Sequence, residues 1–252
     1  MSVHQRQPVT RRRAMLMATC LCDTFFDDVA VSTVKVLRHA GCEVDFPRDQ
    51  TCCGQPAYTA GDWPGFRRLV RRLVDVFAGD VPVVVPSGAC AATLRHAAPQ
   101  AFRDEPDLAA VEALAGRTWE LCEFLVSGLG VRQWPGRLEA RVSLHPGCHN
   151  WNTPVLDAAR QLLDSVAGVE RVEAEGPAEC CGFGGVFSVA FPHVSGAMGR
   201  RRVAALMTSS PDLVVSPDVS CLMHQKGLAR HDGKPFPAMH IAQLLNRALG
   251  ES

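Results

Sequence analysis

The cysteines of this chain form one pattern that occurs twice, and any fold must place both copies. Each copy has a lone cysteine, a Cys-Cys pair followed by glycine, and a closing cysteine. The lone cysteine and the pair are separated by the same number of residues in both copies. The two quartets are Cys20, Cys52, Cys53 and Cys90, and Cys148, Cys180, Cys181 and Cys221. Four thiols at matched spacing indicate a metal or iron–sulfur site, because soft sulfur ligands select zinc and iron–sulfur clusters.

The composition indicates the cellular compartment of the protein and argues against some classes of partner. Eleven cysteines among 252 residues are many, yet the chain is too large for a disulfide-stapled mini-protein. We therefore expect reduced thiols in the cytoplasm, where they serve metal binding or catalysis. Basic and acidic residues balance at 26 each, which argues against a nucleic-acid partner. No run approaches the ~20 apolar residues of a transmembrane helix, so we expect no membrane insertion.

The segment 10–20 imitates an export signal, because a twin arginine precedes a short apolar run. Cleavage there would remove or modify Cys20, a member of the first quartet. The same residues are better interpreted as a buried strand.

Apolar periodicity predicts strands that alternate with helices in both halves. The expected strands are 14–19, 43–46 and 81–85, then 141–144, 169–173 and 213–215. The expected helices are 29–39, 63–77 and 88–96, then 155–166, 194–207 and 219–229. Each half is expected to close with an apolar helix, at 119–125 and 240–245. This order predicts an α/β fold of two tandem Rossmann-like repeats with parallel sheets, related by a pseudo-twofold axis. The repeats are assigned to residues 1–135 and 136–252.

The predicted strands bring each quartet to one place. Each lone cysteine, each pair and each closing cysteine follows a different strand, and ligands of open α/β sheets bind at the carboxyl ends of the strands. Ser87 and Asp218 are good N-caps, so Cys90 and Cys221 should lie in first helical turns, where the helix dipole favours thiolate. Glycines beside the pairs would let the backbone turn around a cofactor and offer N–H groups to sulfur: Gly54, Gly182, Gly184 and Gly185.

The sequence around the cysteines is similar to that of a known family. The segments are TCLCD (19–23), VDFPRDQTCCGQPAY (44–58), VPSGAC (85–90), HPGCHN (145–150), ECCGFGGVFSV (179–189), CLMHQKG (221–227) and HIAQLL (240–245). They resemble the cysteine-rich CCG domain, which occurs in heterodisulfide reductase and in glycolate oxidase iron–sulfur subunits. Within that group the likeness is greatest to the lactate utilization protein A family, and it covers nearly the whole chain from about residue 14.

The resemblance implies an iron–sulfur subunit of an L-lactate oxidation system that passes electrons toward the respiratory chain. It implies one or two [4Fe–4S] clusters held by the two quartets, and lactate utilization B and C type proteins as partners. A small-molecule substrate would be handled through the complex. Catalytic residues are not identified by the sequence.

The chain departs from the fullest CCG pattern, which has five cysteines per copy and binds a noncubane cluster in heterodisulfide reductase. Ser87 and Asp218 stand where the fifth thiol would be. Both are interpreted as plain N-caps, with an oxygen ligand from Asp218 as the alternative. Four thiolates still suffice for an ordinary cluster.

Several cysteines and histidines lie outside the quartets. Cys22, Cys42 and Cys122 are expected in the core, although Cys22 is also a candidate spare ligand. His145, His149 and His224 flank only the second quartet, as ligands, proton-transfer groups or hydrogen-bonding neighbours. Among these, His149 is favoured because it adjoins Cys148.

Two alternative functions remain open on sequence grounds. One is a heterodisulfide reductase or glycolate oxidase type of redox subunit with a different substrate. The other is a scaffold stabilised by zinc, including a mixed case with zinc in the histidine-flanked half.

Overall fold

A computed structural model describes residues 7–10 and 12–250 of the chain. Arg11, the first member of the twin arginine, lies outside the described residues, as do the outermost residues of both predicted repeats. Arg13–Leu16 is a strand with three buried side chains, as expected for the apolar run. In the described part of the chain, every helix is too short or too polar to cross a lipid bilayer.

The first sheet is four-stranded and entirely parallel, in the order β2-β1-β3-β4. Its strands are β1 (Arg13–Leu16), β2 (Glu43–Asp45), β3 (Val83–Val85) and β4 (Thr118–Glu120). The helices of this half are α1 (Cys20–Phe25), α2 (Asp27–His39), α3 (Gln55–Thr59), α4 (Trp63–Val76), α5 (Gly88–Ala92), α6 (Ala98–Ala101), α7 (Leu108–Arg117) and α8 (Leu121–Glu123). Two π-helical turns, Thr93–Ala97 and Phe124–Gly128, extend α5 and α8.

The second sheet repeats this arrangement in the order β6-β5-β7-β8, again with parallel pairs only. Its strands are β5 (Arg137–Leu144), β6 (Ala167–Val172), β7 (Leu213–Ser216) and β8 (Ala238–His240). The helices are α9 (Pro154–Ser165), α10 (Val186–Ala190), α11 (Pro192–Met207), α12 (Val219–His231) and α13 (Ile241–Ala248), and Cys148–Asn150 is a 3-10 turn. The α/β fold of two Rossmann-like halves is therefore confirmed.

The fourth strand of each sheet corrects the sequence interpretation. We expected the segments beginning at Trp119 and His240 to be helical from the start. Both instead complete a parallel sheet first, and the helix begins immediately afterwards, at Leu121 and Ile241. Three-residue strands carry no visible alternation, so the pairing with β3 and β7 decides their conformation.

The two halves exchange their closing helices. Helix α13 of the second half packs on α2 of the first, and α8 of the first half packs on α9 of the second. The Gln243 side-chain amide donates to the Asp28 carboxylate at 2.6 Å, and the Trp134 indole N–H donates to the Leu245 carbonyl at 2.9 Å. One hydrophobic cluster runs through both halves and includes Val36, Trp119, Leu162 and Leu244. Apolar burial across this junction holds the two sheets in a fixed relation.

Candidate functional site

The cysteines of each quartet stand at the carboxyl ends of three parallel strands. Cys20 opens α1 directly after β1, and Cys90 lies in α5 after β3. Cys52 and Cys53 occupy the loop between β2 and α3. In the second half, Cys148 follows β5, Cys180 and Cys181 follow β6, and Cys221 lies in the first turn of α12. The two sheets thus present four thiols each at equivalent edges.

The first quartet consists of two close sulfur pairs. The Sγ atoms of Cys20 and Cys52 are 3.6 Å apart, and those of Cys53 and Cys90 are 3.3 Å apart. Cys20 is exposed and Cys53 is buried, so the quartet runs from the surface into the protein.

The second quartet repeats the pairing. The Sγ atoms of Cys148 and Cys180 are 3.8 Å apart, and those of Cys181 and Cys221 are 2.9 Å apart. This quartet is less open, because Cys181 and Cys221 are both buried.

These separations are too long for disulfide bonds and can be compared with those of thiolates that share one metal ion. All eight cysteines are free thiols, and a disulfide would place its sulfur atoms about 2.0 Å apart. Sulfur ligands about 2.3 Å from a metal at tetrahedral angles lie roughly 3.8 Å apart. The Cys20–Cys52 pair at 3.6 Å and the Cys148–Cys180 pair at 3.8 Å are near that value, and the other two pairs are closer together.

Electrostatics single out the first cysteine of each adjacent pair. The pKa of Cys52 is lowered to about 3, by hydrogen bonds from the thiols of Cys20 and Cys53 and from the Gly54 N–H. The pKa of Cys180 is lowered to about 2 by the equivalent bonds from Cys148, Cys181 and the Gly182 N–H. The pKa values of these four thiol partners are raised in turn, since each holds the shared proton. These hydrogen bonds favour the thiolate form of Cys52 and of Cys180, and thiolate is the form that binds metal.

The glycines that follow the pairs turn the backbone beside the cysteines. The Gly54 N–H points to the Cys52 sulfur at 3.5 Å, and the Gly182 N–H points to the Cys180 sulfur at 3.4 Å. Both have positive φ, 87° and 83°, and a Cβ on Gly182 would lie only 2.5 Å from the Ser195 carbonyl oxygen. Gly184 and Gly185 also have positive φ and carry the chain into α10.

Ser87 and Asp218 differ from each other, although the sequence assigns them the same role. Ser87 caps its own helix and accepts a hydrogen bond from the Cys90 N–H at 3.3 Å. Asp218 precedes α12 but does not cap it with its side chain. Its carboxylate crosses to the other half, where Oδ2 accepts from the Ala89 N–H at 2.8 Å. Oδ1 accepts from Ser220 Oγ at 2.7 Å and from Ser87 Oγ at 3.4 Å.

Asp218 thus links the two quartets. Its side chain is 1% exposed, and Ser87 and Asp218 also form an isolated antiparallel bridge between the halves. Burial is the main cause that raises the pKa of Cys22, and the hydrogen bond with Cys180 is the main cause that raises the pKa of Cys148. The negative charge of Asp218 adds a smaller effect in the same direction to both thiols. With both oxygens engaged by the first half, Asp218 is placed as a structural link.

Among the histidines, His145 lies nearest to the buried sulfur atoms. One ring nitrogen of His145 and the sulfur atoms of Cys181 and Cys221 all lie within 4.8 Å of one another. The Arg202 guanidinium donates to His145 Nδ1 at 3.3 Å, while Nε2 has no hydrogen-bond partner among the described residues. Burial, reinforced by Arg202, lowers the pKa of His145 to about 3, so the ring is neutral.

His149, the histidine favoured on sequence grounds, contacts both the second quartet and the first half. Its Nδ1 is 3.7 Å from the Cys148 sulfur, and its Nε2 is 3.3 Å from the Gln55 amide of the first half. His224 contacts the Ser195 hydroxyl at 3.2 Å. His149 therefore contacts the second quartet as well as the first half, and Arg202, which donates to His145, was not identified from the sequence.

Residues next to the second quartet in sequence meet the first quartet at the junction. A cavity of about 90 Å³ adjoins all four cysteines of the first quartet and is closed on its other side by Phe183, Gly185, Val219 and Ser220 of the second half. The three remaining cysteines are core residues as predicted, since Cys22, Cys42 and Cys122 are no more than 2% exposed.

Comparison with known proteins agrees with the geometry. The cysteine-rich domain family CCG matches residues 14–95 and 142–226, one match in each half. Lactate utilization protein A of Bacillus licheniformis is 39% identical, over 93% of this chain and 99% of its own length. Lactate utilization protein A of Oceanobacillus iheyensis is 38% identical, over 93% of this chain and 96% of its own.

A solved structure shares the fold at low sequence identity. The crystal structure of a hypothetical protein from Helicobacter pylori superposes on the whole chain with a TM-score of 0.69 and 10% identity. The present chain spans about half of that one, covering 52% of its length. The paired cysteine matches and the similarity to curated relatives over nearly the full chain place this protein in the lactate utilization protein A family, within the CCG cysteine-rich domain proteins.

Proposed function

We propose that the chain is the iron–sulfur subunit of an L-lactate oxidation system in the cytoplasm, moving electrons from L-lactate toward the respiratory chain. The observation that carries the proposal is the pair of four-thiol sites, each assembled from three strand ends. Relatives named lactate utilization protein A supply the link to lactate. Eight reduced thiols agree with a reducing compartment.

The donor set fits iron–sulfur clusters. The first cluster would be held by Cys20, Cys52, Cys53 and Cys90, and the second by Cys148, Cys180, Cys181 and Cys221. Four thiolates are the usual ligand set of a [4Fe–4S] cluster, which supplies one-electron transfer when bound. The Gly54 and Gly182 N–H groups already point at sulfur, and such hydrogen bonds help to set a cluster's potential.

The openness of the first site suits electron exchange with another protein. Cys20 is exposed, whereas the second site is deeper. Residues next to the second quartet in sequence line the small cavity at the first, so electrons would pass between the sites through this junction before leaving the chain. The expected partners are the lactate utilization B and C type proteins, with L-lactate handled within their complex.

The test is metal and sulfide analysis of the full chain, purified without oxygen and reconstituted. We expect iron and acid-labile sulfide in equal amounts, with a broad absorption near ~400 nm that dithionite bleaches. Replacing Cys52 by alanine should remove about half of the iron, since only one quartet is broken. The matched control is Cys122→Ala, a core thiol outside both quartets, which should leave the iron content unchanged. Colourless protein after reconstitution would refute the proposal.

A second candidate has one specific observation in its favour. The neutral His145 ring lies close to Cys181 and Cys221, and zinc is commonly held by cysteine and histidine together. Zinc could therefore occupy the second half while a cluster occupies the first. The same analysis separates the candidates, because zinc in the second half would survive Cys52→Ala and fall on replacement of His145.

A further inference from the structure

A groove opens beside the exposed end of the first quartet. Its volume is about 490 Å³, and the side chains that matter for binding in it are Cys20, Asp23, Phe46, Arg48, Thr51 and Cys52. This size lies within the ~300–1,000 Å³ range of small-molecule sites. The groove therefore gives a small molecule access to the two cysteines nearest the surface.

The positively charged group in this groove is the guanidinium of Arg48. Arg48 is exposed, and among the residues that the structure describes none forms an ion pair or hydrogen bond with its guanidinium. Arg13 and Arg71 of the same half, by contrast, pair with Asp45 at 2.7 Å and with Asp107 at 2.6 Å. A free guanidinium offers a planar pair of N–H donors that matches a carboxylate.

The loop that carries Arg48 is anchored to the sheet. Gln50 accepts a hydrogen bond from the Ala18 N–H at 2.8 Å, and its amide donates to the Pro47 carbonyl at 2.7 Å. Arg48 lies between these two anchored points. The backbone beneath the guanidinium is therefore held in place, which lowers the entropic cost of binding.

The groove also has an apolar wall and no counterpart by sequence in the second half. Phe46 is 49% exposed, which leaves ring surface for a short alkyl group. Counting back from each cysteine pair, the position of Arg48 corresponds to Gly176, and that of Phe46 to Ala174. The chain has diverged here, so that only the first half combines a cation with an aromatic surface.

We propose that this groove binds a short-chain 2-hydroxycarboxylate anion, the class to which L-lactate belongs, with Arg48 holding the carboxylate. Phe46 packs against the alkyl group, and the bound acid lies next to Cys20 and Cys52. The inference rests on the proposed function for the identity of the anion, and on the groove for its place. It assigns substrate contact to the first half of the chain.

Asp23 gives the proposal a second, opposite test. It is exposed, lines the same groove and carries a negative charge that repels a carboxylate. Removing that charge should strengthen binding, whereas removing the charge of Arg48 should weaken it. A groove that bound its ligand only by apolar contact would show neither effect.

The experiment is calorimetric titration of L-lactate into the full chain, purified without oxygen, at constant ionic strength. We expect Arg48→Gln to weaken binding about tenfold or more, since hydrogen bonds to charged groups contribute about 1.5–3 kcal/mol and 1.4 kcal/mol is tenfold. Asp23→Asn should tighten binding about twofold to threefold. The matched control is Arg68→Gln on α4, an exposed arginine that does not line the groove, which should leave the affinity unchanged.

The outcomes separate this inference from the proposed function. No binding of L-lactate by the wild-type chain, or equal affinity in wild type and Arg48→Gln, overturns the groove assignment. Iron and sulfide analysis of the same samples is independent of that result. Clusters without lactate binding refute the inference alone, and a chain that holds neither iron nor sulfide refutes the proposed function.

Discussion

The buried carboxylate of Asp218 should be one of the most sensitive single positions for stability. Replacing it by alanine leaves the Ala89 N–H without an acceptor at a site where Ala89 is 4% exposed. An unsatisfied buried donor costs about 1–3 kcal/mol, and the lost bond to Ser220 adds about 1 kcal/mol. We therefore expect Asp218→Ala to lower the free energy of unfolding by about 3 kcal/mol. For a chain of this length that is roughly 6–12 °C in Tm.

The assay is anaerobic urea unfolding of reduced, metal-free protein, which separates the link from any effect of a bound cluster. Asp62→Ala is the matched control, because Asp62 also accepts from a backbone N–H, that of Gly65 at 2.9 Å, but within one half and exposed. Loss of an ordinary N-cap costs about 1 kcal/mol. If Asp218→Ala costs no more than Asp62→Ala, the argument that the cross-half bonds stabilise the fold is wrong.

Buried groups give three further predictions. Burial raises the pKa of Glu120 to about 8 beside Glu123, which Arg95 pairs. The folded state thus keeps a proton that the unfolded chain releases. The free energy of unfolding therefore falls as pH rises from about 4.5 to 8, by at most ~1.4 kcal/mol per pH unit. Glu120→Gln should flatten this slope in urea unfolding at several pH values. Burial lowers the pKa of His240 to about 4, although the charges of Asp218 and Asp28 oppose this shift. The unfolded chain therefore binds a proton before the folded protein does, and the free energy of unfolding falls as pH drops from about 6.5 to 4. His240→Asn should reduce that loss in the same assay. Gly182→Ala should lower iron content, because its Cβ meets the Ser195 carbonyl; unchanged iron would contradict this.

The sequence could predict that the cysteines of each quartet lie together, because this follows from the order and direction of the strands alone. Parallel strands end at one edge, so a cysteine after each strand must converge with the others, whatever the exact strand bounds. Cys20, Cys52 and Cys90 needed no tertiary detail to be placed together. The buried apolar strands were equally clear, as Val83–Val85 shows with three fully buried valines.

Features decided by contacts between the halves could not be predicted in this way. The local capping rule placed Asp218 before a helix, but the Ala89 N–H of the other half became its partner. The sequence placed His149 beside Cys148, but its second contact, with Gln55 of the other half, and the approach of His145 to Cys181 and Cys221 depend on long-range packing. Local patterns hold no information on which long-range neighbour a polar side chain meets.

The exchanged closing helices suggest how such a chain arose. Each half has one helix that is covered by the last helix of the other half, α2 by α13 and α9 by α8. A single ancestral repeat with this layout would expose the apolar face of one helix. A second copy could cover that face with its own last helix, and the first copy could cover the second in the same way. Its stable form would be an intertwined homodimer with two identical cysteine sites. Gene duplication and fusion would then free the sites to diverge, leaving Arg48 on one side and His145 on the other.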